Sequence, residues 1–459
     1  MLNNNLHKIM ESQKKFFQTQ QTKSLDFRIT QLKKLRAAIC EFEEQIFEAL
    51  KKDLGKSPLD AYTAEVGHCL AEISHYIANL KKWNTPRKIK SSKLFPMSKA
   101  QIQYEPLGLS LIIAPWNYPF ELAILPLISA IGAGNCITLK PSEIAVNTEK
   151  VIFNMFNKYF NNEYIYIFCG GIQETQHILS QKFDHIFFTG GEKTGKIIMQ
   201  AASEYITPLV LELGGKSPCI VDNNISLEKS AKRITWGKFY NAGQTCVAPD
   251  YLLVHKDIRD KLISEIKKNI LNFYGPTPET SVDFGHIINT KHFERLTKFL
   301  TKGNIIYGGQ KNPENLFIAP TLITNISLED DIMQEEIFGP ILPIIDFKEK
   351  HEVIDIITKK PKPLTLYIFS KNKIFQNEII NKTSSGSVCI NDCIVHLTAT
   401  DLAFGGVGSS GFGRYHGKAG FEALSNQKSI FKQTTAFDMP KRFPPSDKTS
   451  LAIMKKLLK

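Results

Sequence analysis

Leu109-Ser-Leu-Ile-Ile-Ala-Pro-Trp-Asn-Tyr118 opens the pattern from which the fold is read. Its apolar first half makes a short buried strand, and the Pro and Asn that follow end that strand in a turn. A helix-length segment comes next, from Phe120 to Ile131, then a second strand, Cys136-Ile-Thr-Leu-Lys140, and a helix near Asn147 to Tyr159. Tyr164-Ile-Tyr-Ile-Phe168, His185-Ile-Phe-Phe-Thr189 and Thr207-Pro-Leu-Val-Leu211 repeat the unit. Short apolar strands alternating with helices require right-handed crossovers, so the fold class is α/β with a mostly parallel, doubly wound sheet. Ligands of such sheets bind beyond the carboxyl ends of the strands. Those ends carry Pro115-Trp-Asn-Tyr118, Lys140-Pro-Ser-Glu143, Thr189-Gly-Gly191 and Glu212.

Upstream, the first eighty or so residues place apolar positions at helical spacing, as in Ile29-Thr-Gln-Leu-Lys-Lys-Leu-Arg-Ala-Ala-Ile39. Trp83 to Ser98 is basic, proline-bearing and irregular, a connection, and Gln101-Ile-Gln-Tyr-Glu105 alternates like an exposed strand. Downstream, a second α/β series runs from Pro218 to about Gly413, and Ser429-Ile-Phe-Lys-Gln433 forms a strand in the tail. At 459 residues the chain is too long for one hydrophobic core. The expected division gives 1–85 and 105–211 to a dinucleotide-binding domain and 212–413 to a second α/β catalytic domain. Residues 86–104 and 414–445 then form a small β bridging arm and tail.

Hydrophobic residues are 42% and charged residues 22%, ordinary for a globular protein. No apolar run approaches the roughly 20 residues of a transmembrane segment, and Met1-Leu-Asn-Asn-Asn-Leu-His-Lys8 does not read as a signal peptide. Eight cysteines are too sparse for a disulfide scaffold, and a reactive thiol needs a reducing compartment, which favours the cytoplasm. The net charge of +12 is spread over scattered lysines without a nucleic-acid-binding motif. Leu451 to Lys459 is apolar and basic, enough for weak peripheral membrane contact and too short for an anchor. The 11 histidines lie apart, so no metal site is expected.

Cys246 lies in Asn241-Ala-Gly-Gln-Thr-Cys-Val-Ala-Pro-Asp250, and Glu212 in Leu211-Glu-Leu-Gly-Gly-Lys-Ser-Pro218. A thiol attacks carbonyl carbon and a nearby carboxylate activates water, so the two form a candidate nucleophile and general base. The ordinary alternatives are a small buried hydrophobe, which is the reading for Cys136, Cys169 and Cys219, and a salt-bridged carboxylate. Asn117 is either a donor to a developing oxyanion or a turn residue beside Pro119. No Gly-x-Gly-x-x-Gly opens the first crossover. The phosphate candidate is Thr189-Gly-Gly-Glu-Lys-Thr-Gly195, where a strand enters a helix, although such turns are more often structural. Tyr62, Tyr118, Ile394, Phe404 and Tyr415 are candidates for an apolar substrate tunnel.

Seven motifs in order carry a resemblance. They are Glu105-Pro-Leu-Gly, Pro115-Trp-Asn-Tyr-Pro, Lys140-Pro-Ser-Glu, Phe188-Thr-Gly-Gly, Leu211-Glu-Leu-Gly-Gly-Lys-Ser-Pro, Gly243-Gln-Thr-Cys and Glu336-Ile-Phe-Gly-Pro. From about residue 20 to 435 the chain resembles the aldehyde dehydrogenase superfamily. Phe404-Gly-Gly-Val-Gly-Ser-Ser-Gly and Tyr415-His-Gly-Lys look like its class 3 branch of fatty and aromatic aldehyde dehydrogenases. The resemblance implies NAD(P)-dependent oxidation of a medium- or long-chain aliphatic or an aromatic aldehyde through a thioester on Cys246. Glu212 would serve as the base and Asn117 would sit in the oxyanion hole. It further implies that Trp116, Gly190, Gly191 and Gly195 lie at the pyrophosphate, Lys140 and Glu143 at the adenine ribose, Glu336 at the nicotinamide ribose and Phe338 against the nicotinamide. Glu143 favours NAD over NADP, because a carboxylate accepts from ribose hydroxyls and repels a 2′-phosphate; Lys140 keeps NADP as the alternative. Gly191 offers no side-chain donor there. A homodimer joined through the arm strands is the implied assembly. A thioester hydrolase and a binding protein without catalysis are the competing classes, separated from the first by cofactor-dependent turnover.

Overall fold

The computed structural model describes residues 2–91, 94, 95 and 97–458. Met1, Lys459, and Ser92, Lys93 and Pro96 of the stretch read as irregular lie outside the described residues. Strands are numbered along the chain. β1 (Arg87–Ile89) and β2 (Lys99–Pro106) belong to a small antiparallel sheet, whereas β3 (Leu109–Ile113), β4 (Cys136–Lys140), β5 (Ile165–Ile167), β6 (His185–Gly190) and β7 (Leu209–Leu213) form the parallel part of a six-stranded one. β8 (Pro218–Val221), β9 (Tyr251–His255), β10 (Asn304–Tyr307), β13 (Thr321–Thr324), β14 (Ile341–Phe347), β15 (Thr365–Phe369) and β16 (Ser387–Ile390) form a seven-stranded sheet, and β11 (Lys311–Asn312) pairs with β12 (Phe317–Ile318) beside it. β17 (Gly411–Phe412) and β18 (Ser425–Lys432) complete the set.

The six-stranded order is β17-β7-β6-β3-β4-β5. Chain order therefore departs from β3 in both directions, and the switch lies between β3 and β6. Every residue of β3 and β4 is buried, which explains their continuous apolar runs: helices cover both faces. Helix Glu121–Ala133 is buried along its whole length and stops at Gly134, whose φ of 89° is left-handed. A β-carbon there would lie 2.6 Å from the Thr22 carbonyl and from Arg28 Nε, so only glycine ends the helix at this point. Helix Leu25–Glu41 turns Leu32, Leu35, Ala38 and Ile39 inward at the spacing read from the sequence.

Three features differ from the expectations. The irregular stretch contains β1, antiparallel to β2, because its exposed residues find backbone partners rather than a core. The tail strand starts earlier than its apolar centre indicates, since β18 pairs with β2 from Ser425 opposite Pro106 to Lys432 opposite Lys99. β17, counted with the catalytic segment, instead closes the edge of the six-stranded sheet, with Gly411 opposite Glu212. Cys136 and Cys219 are buried as expected; Cys169 is half-buried.

Helix Val146–Tyr159 follows β4 and begins at Ala145, which has no side-chain acceptor for its first N–H groups. Asp53, at the end of helix Glu43–Leu54, supplies both oxygens instead. They accept from Asn147 N (3.1 Å) and Nδ2 (2.7 Å), and from Thr148 N (2.8 Å) and Oγ1 (2.7 Å). The carboxylate also meets the positive end of the helix dipole. Asp53→Ala is expected to cost about 1–2 kcal/mol and to lower the thermal midpoint by a few degrees; an unchanged midpoint in calorimetry refutes the cap.

Candidate active site

The loop after β3 and the loop that ends in Cys246 are built against each other. Asn241, Ala242 and Gly243 all have positive φ (52°, 51° and 73°), which coils the chain into a tight left-handed turn. A β-carbon on Gly243 would lie 2.2 Å from the Gly339 carbonyl, so the turn rests directly on the backbone after Phe338. Gln244 braces the turn: Nε2 donates to the carbonyls of Asn241 (3.1 Å) and His286 (3.0 Å), and Oε1 accepts from Ile288 N (3.0 Å). Asn117 Nδ2 donates to the Gln244 carbonyl at 3.1 Å, and the Asn117 carbonyl accepts from Asn241 Nδ2 at 2.9 Å. Tyr118 and Thr245 share a hydrogen bond of 2.6 Å. Asn117 is thus fixed 3% exposed beside the thiol-bearing turn, with one amide hydrogen left over.

Beneath Asn117 lies an ion pair that sequence reasoning missed. Lys56 and Glu65 pair directly, with side chains 3% and 0% exposed. Lys56 Nζ also donates to the Asn117 carbonyl at 3.1 Å and stands 4.0 Å over the Tyr118 ring. Glu65 Oε2 accepts from Phe120 N (2.8 Å) and Glu121 N (3.1 Å). Glu65 sits in the single π-helical turn Tyr62–Val66, a geometry often found beside functional sites. No local pattern announces the pair, because its members are ordinary surface residues by type.

Two cavities meet at Cys246, the one residue on both walls among the described residues. The first, about 200 Å³, is mainly apolar and includes Tyr118, Ile394, Phe404 and Tyr415. Tyr62 does not line it; that ring is 45% exposed and lies against Gly67 on the outer side of the π-turn. Trp236, Tyr240, His68, Glu121 and His416 line it too, and of these only His416 fell within a motif singled out in the sequence. The second, about 280 Å³, is the cleft at the switch between β3 and β6, walled by Trp116, Asn117, Gly190, Gly191, Glu212, Glu336 and Phe338. Sequence reasoning missed His292 and Arg295 on the same wall, since a helix remote in the chain carries them.

Lys140 and Glu143 are absent from the wall of this cleft. Lys140 ends β4 next to Ile113 at the same carboxyl edge, 3% exposed at its side chain, and its Nζ is 2.7 Å from Glu143 Oε2. Gly195 is also off the wall: a β-carbon there would approach Leu213 Cδ2 to 2.8 Å, so close packing of helix on β7 dictates that glycine. Gly191 differs, because its β-carbon would meet open space. With the buried, unpartnered Thr189 Oγ1 and His292 Nδ1 nearby, the cleft fits a ligand with phosphate acceptors and hydroxyl donors.

Burial governs the acids here. Glu212, on β7, has both oxygens buried without a partner, and desolvation lifts its pKa well above the usual carboxylate value; Arg414 opposes this only in part. Desolvation also pushes Glu336 up to about 8, reinforced by Asp250. The Cys246 thiol is raised by burial first and then by Glu336, Glu212 and Glu121. His68 behaves oppositely: burial lowers it, yet the Glu121 hydrogen bond and charge, with Glu72, outweigh that and hold it above its ordinary value. Glu336 is anchored through its loop, whose backbone is bound by Lys216 at Glu335 O (2.9 Å), Asp250 at Ile337 N (2.8 Å) and Arg295 at Ile337 O (2.6 Å). Trp116 meets Phe338 edge-on at 5.2 Å and His292 at 4.8 Å.

Removing one partner of a buried pair strands the other charge, so Lys56→Met is expected to cost about 3–5 kcal/mol. Lys56→Met with Glu65→Leu should recover part of that loss in chemical denaturation, the remainder being the Asn117 carbonyl and the Phe120 and Glu121 N–H groups left without their partners. No recovery in the double variant would count against a paired charge as the source.

Comparison with known proteins gives the family and the fold. The model of the aldehyde dehydrogenase family matches residues 3–430. The chain is 46% identical over 435 residues to 4,4'-diaponeurosporen-aldehyde dehydrogenase of Staphylococcus aureus, covering 94% of this chain and 95% of the relative. It is 43% identical over 438 residues to aldehyde dehydrogenase family 3 member A2 of Rattus norvegicus, covering 95% and 90%. The substrate-bound Staphylococcus aureus AldH superposes with a TM-score of 0.96 at 45% identity over 99% of both chains. Betaine aldehyde dehydrogenase of Staphylococcus aureus in complex with NAD+ superposes with a TM-score of 0.83 at 28% identity, over 95% of this chain and 88% of that one. The chain belongs to the aldehyde dehydrogenase family and is an oxidoreductase acting on aldehydes.

Proposed function

We propose that this protein oxidises an aldehyde to its carboxylic acid at Cys246, with NAD as the preferred hydride acceptor. The observation that carries the reading is the position of Cys246 between an apolar cavity and a polar cleft. The aldehyde carbon reaches the sulfur from the first. The cleft would hold the dinucleotide, Gly190, Gly191 and Arg295 serving its phosphates and Glu336 and Phe338 its nicotinamide end. When bound, that group supplies the acceptor for the hydride.

The chain's own residues do the rest. Cys246 sulfur attacks the carbonyl carbon, and the negative charge that develops on oxygen is met by the free amide hydrogen of Asn117 and the Cys246 backbone N–H. The tetrahedral adduct becomes a thioester on loss of hydride to the acceptor that the bound cofactor would supply. Water, from which Glu212 removes a proton, then opens the thioester to release the acid and the Cys246 thiol. A Glu212 carboxyl without a fixed partner is free to turn toward that water, and its raised pKa makes it a stronger base once ionised. The cavity volume supports a ring or short chain within, with longer substrates projecting from the mouth. An assembly of two chains is part of the reading, supported by β18 and β16, which among the described residues each leave one edge without a partner strand.

Cys246→Ala is expected to abolish formation of reduced cofactor, and full retained turnover would refute the mechanism. Asn117→Ala should lower kcat by about 10²–10³. Glu212→Gln should leave a burst of one reduced cofactor per site followed by turnover slowed about 10²–10⁴-fold. Because burial raises Glu212, its basic form grows as pH rises past the usual carboxylate range, so kcat should climb with pH, and the Gln variant should lose that dependence. At the adenine end, Glu143 neutralises Lys140 at 2.7 Å, which supports NAD. Glu143→Gln frees the lysine and should raise kcat/KM for NADP relative to NAD; an unchanged ratio removes Glu143 from cofactor choice.

A further inference from the structure

One wall of the apolar cavity is not apolar. Glu121, the first residue of helix Glu121–Ala133, lies with Oε1 2.5 Å from His68 Nδ1. His68 thus holds one carboxylate oxygen in place through its Nδ1. Among the described residues nothing hydrogen-bonds the second Glu121 oxygen, although the residue is only 9% exposed. His416 completes the wall, 4% exposed, stacked 5.6 Å from Phe404 and edge-on to His68 at 5.6 Å. Glu121 is near enough to Cys246 for its charge to act on the thiol.

A wholly aliphatic substrate gains nothing from such a wall, and covering this carboxylate oxygen with a substrate that offers it no donor is costly. We propose that Glu121, positioned by His68, is a specificity-determining acceptor that selects aldehydes bearing a hydroxyl on their body, with hydroxylated aromatic aldehydes of one ring as the class that fits. The inference rests on the oxidation at Cys246 proposed above. The cavity of about 200 Å³ exceeds the roughly 150 Å³ in which a benzene ring is accommodated. With the aldehyde carbon at sulfur, a ring substituent is carried toward the opposite wall. A hydroxyl there donates to the free Glu121 oxygen. An unsubstituted or methoxylated ring leaves that acceptor unpaired, and a carboxylated one meets like charge.

The test uses the full chain with NAD and compares kcat/KM for 3-hydroxybenzaldehyde, 3-methoxybenzaldehyde and benzaldehyde. A hydrogen bond to a charged group predicts a hydroxy-to-methoxy ratio of about ten or more. In Glu121→Leu the ratio should fall to about one, and in Glu121→Gln to an intermediate value. A ratio below about two in the unaltered protein, or an unchanged ratio in either variant, overturns the assignment. If the Leu variant does not fold, the Gln variant decides by the same ratio. A purely structural Glu121 lowers all three aldehydes together and leaves the ratio untouched. Should the unaltered protein oxidise none of the aldehydes, it is the reading of Cys246 that fails; oxidation without discrimination sinks Glu121 alone.

Discussion

Lys56 and Glu65 are held where neither charge meets water, and the positions of three other segments follow from that. The cation is satisfied by its partner, the Asn117 carbonyl and the face of Tyr118; the anion is satisfied by Lys56 and the backbone N–H groups that begin helix Glu121–Ala133. An apolar pair would fill the same space but would leave the carbonyl and two N–H groups unsatisfied. Charge is therefore used here to fix a loop of backbone. Asn117 inherits its place from that loop, and the thiol-bearing turn inherits its own from Asn117 and Asn241.

Much of the six-stranded sheet was legible because its strands are buried on both faces and read as unbroken apolar runs. The members of the site that stand at strand ends or in glycine-rich turns, Asn117, Glu212, Cys246, Gly190 and Gly191, were legible for a related reason: the switch point concentrates them. Residues that reach the site from a loop or helix elsewhere in the chain were not. Lys56, His68, His292 and Arg295 acquire meaning only through partners far along the chain, Asn117, Glu121, Trp116 and Ile337, and no periodicity records such pairing. Tyr62 was misplaced because the π-turn rotates its side chain outward while Thr63 and Ala64 take the cavity wall. Gly195 was misassigned because a glycine needed for packing and one needed for phosphate approach look the same in one dimension.

Burial acts on the acids of the site in one direction. Cys246, Glu212 and Glu336 are all raised, and burial is the leading cause for each. The Glu336 and Glu212 carboxyls add to the effect on the thiol, because a thiolate beside ionised acids in a low-dielectric cleft is repelled by them. A thiol held toward its protonated form is less reactive toward stray electrophiles. Glu121 differs in its surroundings, being joined at one oxygen to His68.

β17 gives the site a dependence on time as well as on space. The strand that bears Glu212 is flanked by β6 on one side and by Gly411–Phe412 on the other, a partner encoded about 200 residues later. At ribosomal speeds of roughly 5–20 residues per second, that edge stays open for about 10–40 s while the rest of the chain is made. An unpaired parallel-sheet edge is a template for mispairing with other nascent chains. The Glu212 strand is thus an edge of the newborn protein in need of shelter, and a segment synthesised about 200 residues after it is what seals it.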